Sequence, residues 1–231
     1  MKLTQVAKKN SKTVWEYLKL TEEQKQLTYG EVTITEELLR SIYTYAKGII
    51  AIKKPEHPEK ITGADFMWTI KTPEKEINMS FQAKRTYLPY SQYRKLSHTV
   101  DGIPQIEIFK RYSKLMGLTP YYILYNAIFS QADYYLKRYK HTDVEIANQG
   151  RKFQSSLGIT VSPLDIMEKH YSQAYFDTIT SDCLTKTLRQ FLADSLITKD
   201  EETKNENDNV STKEHEESHS DNKKDSGKLA I

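Results

Sequence analysis

Cysteine is almost missing from this chain: Cys183 stands alone among 231 residues, so no intramolecular disulfide braces the fold and stability has to come from burial. No Cys/His group has zinc-ligand spacing, and His98, His141 and His170 are too widely separated to suggest a His-based nuclease or a Ser-His-Asp arrangement. Long apolar runs are missing as well. No stretch approaches the roughly 20 apolar residues that span a bilayer, and the N-terminus lacks the apolar core of a signal peptide, so a soluble protein of the reducing cytoplasm is expected. Residues 1–198 contain no internal repeat and no Gly/Ser linker, which predicts a single packed body.

The net charge of +3 conceals a division. The segment from Lys199 to Ile231 holds 6 Lys against 10 Asp and Glu, a net of −4, leaving 28 basic and 21 acidic residues, +7, upstream. That acidic tail has almost no aromatic or large apolar residues and is expected to be disordered, either screening the basic domain or simply solubilising it. A cationic domain suits a polyanion partner, because phosphate neutralisation supplies most sequence-independent affinity for nucleic acid. Many soluble domains carry a similar surplus for solubility alone.

An opening helix is predicted around Thr13 to Gln26, carrying Val14, Trp15 and Leu18. A second follows the Tyr29-Gly30 turn, with Thr33 and Glu36 spaced as a capping box, Leu38, Leu39, Ile42 and Tyr45 at helical intervals, and a stop near Gly48. Ile49 to Ile52 reads as a short strand before a charged loop with Pro55 and Pro58. Thr62-Gly63 turns into a second strand, Ala64 to Ile70; Thr72-Pro73 closes it, and Ile77 to Lys84 alternates as a half-buried third strand, so the pair forms a hairpin. Gln105 to Met116 has the apolar spacing of a helix ending at Gly117, and Tyr121 to Tyr125 reads as a buried strand. Later segments look helical, with Ser162-Pro163 as a helix start and Leu184, Leu188, Phe191, Leu192 and Leu196 as a packing stripe. The expected class is α/β, ordered helix, three strands, helix, strand, with additional C-terminal helices.

On the third strand Gln82 and Lys84, two residues apart, project from one face while Ala83 turns to the other. Asp65 opens the neighbouring strand, and a suitable hairpin register would set its carboxylate beside them. The grouping suits phosphodiester hydrolysis. A carboxylate holds Mg²⁺ or Mn²⁺ through hard oxygen contacts, the Gln82 amide adds a neutral oxygen, and Lys84 orients water and offsets charge on the phosphorane-like transition state. Glu31, just before the capped helix, would supply a second anionic ligand.

The run Gly63-Ala64-Asp65, a hairpin, then Phe81-Gln82-Ala83-Lys84-Arg85 resembles the PD-(D/E)XK, restriction-endonuclease-like superfamily, most closely its Gln-x-Lys branches such as the Mrr-like restriction enzymes. The chain is also similar to an uncharacterised bacterial domain family. There Glu-x-x-Ile-Thr (Glu31 to Thr35), Gly-Ala-Asp, Gln-Ala-Lys-Arg, a Gln-Ile helix start (Gln105-Ile106) and a Tyr-Asn strand end (Tyr125-Asn126) recur over about residues 29–170. The superfamily resemblance implies Asp65 as metal ligand, Gln82 in the usual acidic position, Lys84 as catalytic lysine and Glu31 as helix-borne acid. It implies a Mg²⁺-dependent endonuclease acting on DNA rather than RNA, with a role in restriction or anti-phage defence, working as a homodimer if it cuts both strands. Gln82 in place of Asp or Glu removes one formal charge, so metal affinity leans on Asp65 and Glu31.

Other readings stay open. Singly, Asp65 serves as a turn residue and Lys84-Arg85 as charges guarding a strand edge. A catalytically inactive module binding nucleic acid or protein on the same fold is the main alternative, and an adaptor using the tail and C-terminal helices is a third. After the motif, Arg85, Tyr87, Tyr90, Tyr93, Arg94 and Lys95 interleave cations and aromatics, either as a nucleic-acid-gripping strip or as a loop folded onto the core. Gln105 and Asn126 are near-site polar groups, Gln105 as a candidate nucleic-acid contact, or simple helix and turn caps.

Overall fold

A computed structural model of the protein describes residues 2–24, 26–87, 92–93, 96–127, 158–169 and 186–196. The chain divides into two compact units, Met1–Ser195 and Leu196–Ile231. The tail expected over residues 199–231 lies outside the described residues, as do Leu184 and Cys183.

Helix α1 (Leu3–Glu23) begins ten residues before the predicted start. The polar run Lys8-Lys9-Asn10 interrupts the apolar pattern, yet Val6 and Ala7 are fully buried, and the Asn10 amide donates to the Val6 carbonyl and to Ser41 Oγ, both at 2.9 Å. Helix α2 (Glu31–Tyr45) also begins early, with Gly30 at its N-cap. Thr33 and Glu36 therefore fall inside the helix, and the predicted capping box does not form. Ile34, Leu38, Leu39 and Ile42 face inward, whereas Tyr45, expected on that stripe, is exposed.

The strands are β1 (Ile50–Lys53), β2 (Phe66–Lys71), β3 (Glu76–Tyr87), β4 (Gln92–Tyr93), β5 (Thr99–Val100), β6 (Ile103–Pro104), β7 (Thr119–Tyr125), β8 (Ile159–Pro163) and β9 (Lys186–Thr187). Between them lie α3 (Glu59–Thr62), α4 (Gln105–Leu115) and α5 (Leu164–Lys169), followed by α6 (Leu188–Leu196). Among the described residues a mixed seven-stranded sheet runs β1-β2-β3-β7-β8-β9, with β4 paired to the end of β3. Within it β3 and β7 are parallel, joined through α4, and the other pairs are antiparallel. The order α2, β1 to β3, α4, β7 matches the predicted helix, three strands, helix, strand. The "helical" later region also contains β8: Ser162-Pro163 closes that strand against β7 and α5 starts only at Leu164. A short apolar run such as Ile159 to Val161 carries no periodicity that separates strand from helix.

Helices cover both faces of the sheet. On one face α4 docks through a hydrogen bond between the Ser80 and Ser113 hydroxyls (2.8 Å) and an edge-on contact of Phe109 with Tyr122, centroids 5.9 Å apart. On the other, Phe66 stacks on Phe81, Phe191 of α6 meets Phe81 and Tyr121, and Thr35 of α2 shares a 2.9 Å hydrogen bond with the Tyr125 hydroxyl. This corrects the reading of β3 as a half-buried strand. From Met79 to Lys84 every residue is buried, because β3 lies between β2 and β7 with layers above and below. Among the described residues no helix is long and apolar enough to cross a membrane.

Short helix α3, read from sequence only as part of a Pro-containing loop, ends at Gly63 in the left-handed region (φ +65°). A Cβ there would lie 2.7 Å from the Phe109 backbone nitrogen, so glycine lets the chain pass directly over α4 into β2.

Candidate functional site

Strand β3 outruns its neighbour β2. Their ladder begins at Phe66 opposite Phe81, and one residue earlier the Asp65 N–H donates to the Phe81 carbonyl at 2.8 Å. Ala83 and Arg85 have the next two amides on that edge of β3, since backbone groups two residues apart point the same way. Among the described residues no strand receives them. The Asp65 carboxylate accepts the Ala83 N–H at 2.7 Å, and the Glu31 carboxylate accepts the Arg85 N–H at 3.0 Å. Glu31 arrives from the first turn of α2 and Asp65 from the turn after Gly63, so elements far apart in sequence meet at one strand.

Between those two anchored acids stands Lys84. It is 5% exposed, and its charge favours the ionised form of both Glu31 and Asp65. Gln82 shares its face of β3, and it lies between Phe81, whose carbonyl takes the Asp65 amide, and Ala83, whose amide the Asp65 carboxylate accepts. Gln82 is completely buried, yet neither its amide oxygen nor its amide nitrogen has a hydrogen-bond partner. Orphaning buried polar groups costs about 1–3 kcal/mol each, so a wholly unpartnered amide marks a place suited to a further polar ligand.

Burial is the main cause that raises the Asp65 carboxyl from its usual 3.8 to about 7; the neighbouring Glu59 charge adds to it, and the Ala83 amide and Lys84 work against it. Glu31 is raised for the same leading reason, with Lys84 and the Arg85 amide opposing. Two desolvated carboxylates, electrostatically coupled and under-compensated by one lysine, suit a hard cation. Among the described residues no three His, Cys, Asp or Glu side chains converge as a metal site. The available donors are two carboxylates plus the Gln82 amide oxygen, a set that fits Mg²⁺ completing its shell with water.

All four residues predicted for the site, Glu31, Asp65, Gln82 and Lys84, thus gather on the end of β3 beyond β2. β7 pairs with β3 as far as Arg85, but β2 ends opposite Phe81, so Lys84-Arg85 do stand at an open edge of the sheet and the reading of them as edge charges stays open. Sequence reading missed Glu59. It lies on α3, accepts a hydrogen bond from Gln105 Nε2 at 2.5 Å, and raises the pKa of both Asp65 and Glu31. The one available signal was its place six residues before Asp65, just after a proline that starts a helix.

The expected nucleic-acid strip is mostly redirected or beyond view. Arg85 donates through Nη1 to the Tyr29 carbonyl (2.9 Å) and lies 4.1 Å from the Tyr87 ring centroid, so its guanidinium is engaged internally. Tyr93 is buried, with its hydroxyl bonded to Asn126, which also donates to Thr160 Oγ1 at 3.1 Å; both belong to the core. Gln105, expected near nucleic acid, is buried against Glu59. Tyr90, Arg94 and Lys95 lie outside the described residues.

Residues 3–192 match the model of the Family of unknown function (DUF6615), and the chain belongs to that family. The match spans Glu31, Glu59, Asp65, Gln82 and Lys84. No curated protein matches the chain.

Proposed function

We propose that this chain is a metal-dependent nuclease of the restriction-endonuclease-like, PD-(D/E)XK type, hydrolysing phosphodiester bonds in DNA. The observation that carries the reading is the pinning of the Asp65 and Glu31 carboxylates to the Ala83 and Arg85 amides, on either side of buried Lys84 and next to the unpartnered Gln82 amide. The element order α2, β1 to β3, α4, β7 supports a restriction-endonuclease-like core.

Asp65, Glu31 and the Gln82 amide oxygen would hold Mg²⁺ or Mn²⁺, which supplies Lewis-acid polarisation of the phosphate and a more acidic bound water. Lys84 contributes a cation fixed by burial, able to donate to a non-bridging phosphate oxygen and to offset the charge that grows there during attack. Asp65 and Glu31 keep their orientation through main-chain amides, so little reorganisation accompanies substrate entry. A place in restriction or anti-phage defence, and a homodimer for double-strand cutting, follow from the resemblance alone.

The test is cleavage of single- and double-stranded DNA and of RNA by the full chain with Mg²⁺, Mn²⁺ or EDTA, alongside Lys84→Ala. Metal-dependent cutting lost in the variant supports the reading. The second reading, an inactive binding module, is favoured by the neutral Gln82 and by the lack of a three-acid group among the described residues. Nucleic-acid binding that survives both EDTA and Lys84→Ala, without cutting at any metal concentration, would establish it.

A further inference from the structure

We infer that Glu59 is a positioning residue of the cation site, an outer acid that returns from α3 the negative charge missing at Gln82 on β3. The inference rests on the metal-binding reading above and deepens it.

Three observations place Glu59 there. Its carboxylate is held by Gln105, whose side chain is buried at the first turn of α4. The end of its helix is pinned, because Gly63 passes so close to Phe109 of α4 that no Cβ fits. The Thr62 hydroxyl accepts the Ala64 N–H at 3.2 Å, which fixes the turn leading to Asp65. Five residues therefore link Glu59 to Asp65 across a rigid corner. Independently, the fully buried Gln82 amide, on the residue between the two that Asp65 bonds and itself without a partner, leaves an oxygen free for a ligand.

Glu59 is exposed and, among the described residues, belongs to no three-acid ligand group. Its role is accordingly indirect. An exposed carboxylate at the rim accepts hydrogen bonds from waters around a divalent ion and adds to the negative potential that draws the ion in. The effect of its charge on both Asp65 and Glu31 agrees with that location. The Gln105 bond keeps the carboxylate at the rim.

Mn²⁺ binding to the full chain, followed by electron paramagnetic resonance, tests the inference in wild type, Glu59→Gln, Glu59→Asp and Asp65→Asn, with melting temperature recorded for each. Glu59→Gln keeps an acceptor for Gln105 but loses the charge; its Mn²⁺ affinity should fall about 10- to 100-fold with an unchanged melting temperature, and Glu59→Asp should recover most of it. Asp65→Asn should abolish binding. If Glu59→Gln binds within twofold of wild type while Asp65→Asn does not bind, the role of Glu59 is overturned and the metal site stands. If wild type binds no Mn²⁺, both fall. A Glu59→Gln variant that loses affinity only in step with a lowered melting temperature, unrescued by Glu59→Asp, also overturns the inference.

Discussion

The Asp65 carboxylate accepts the Ala83 backbone amide at 2.7 Å, where the sheet would otherwise present an unpaired strand edge. A carboxylate thereby takes the place of a neighbouring strand, and its own burial becomes a source of instability when no cation is present.

That cost has a defined pH window. Asp65 titrates near 7 in the folded protein against 3.8 when unperturbed, with burial as the leading cause, so between those values the folded state binds more protons than the unfolded state. Stability in EDTA should therefore decline as pH rises from about 4 through about 7. Glu31, raised in the same direction, adds to the decline. Thermal unfolding across that range reads it; a profile equally steep in Asp65→Asn would remove Asp65 as its cause.

Lys84→Met should lower metal-dependent cleavage by about 10²- to 10³-fold, the usual loss when a fixed charge-stabilising donor is removed. It should also lower stability in EDTA at neutral pH, because Lys84 favours the ionised forms of both buried acids. Cleavage rate and unfolding midpoint are measured on the same preparation. Full activity in this variant would exclude Lys84 from the chemistry.

Gln82→Glu tests the unpartnered amide. A third carboxyl beside Asp65 and Glu31, with Lys84 the one cation next to them on β3, should depress the melting temperature in EDTA, since a buried charge without a partner is costly. Added Mg²⁺ should then raise the melting temperature more than it does in wild type. An equal Mg²⁺ response in the two proteins would mean that position 82 does not face the ion.

Gly63→Ala should cost at least about 2 kcal/mol, combining left-handed backbone strain with overpacking. The added methyl would lie 2.7 Å from both the nitrogen and the Cβ of Phe109, and φ is +65°. Urea unfolding gives the value. A loss below about 0.5 kcal/mol would show that α3 and α4 separate easily.

The candidate acids and their strand were legible in the sequence because period-two alternation puts Gln82 and Lys84 on one face whatever surrounds them, and Gly63 and Thr72-Pro73 bracket the partner strand. The convergence of Asp65 was legible only as a matter of register; in the fold the ladder ends at Phe66, and Asp65 is brought in by its own bonds to the Phe81 carbonyl and the Ala83 amide. Other features were hidden for physical reasons. Pro58-Glu59-Lys60 has the composition of a solvated loop, and its single helical turn exists by docking on Phe109 and Gln105 of α4. Tyr93 has the look of a surface aromatic but is drawn inward by Asn126, 33 positions away. β8 pairs with β7 across a long separation that no local pattern encodes. The first half of α1 was masked by lysines on its outer side.

Because Glu31 and Asp65 are both fastened to main-chain groups of β3, the gap between their anchor points is one two-residue repeat of an extended strand, roughly 7 Å. Side-chain rotamers do not set that gap. The spacing is a ruler cut by the peptide unit itself, and because it exceeds twice a Mg–O bond of about 2.1 Å, an ion between the two acids would be reached by the carboxylate oxygens that the amides leave free.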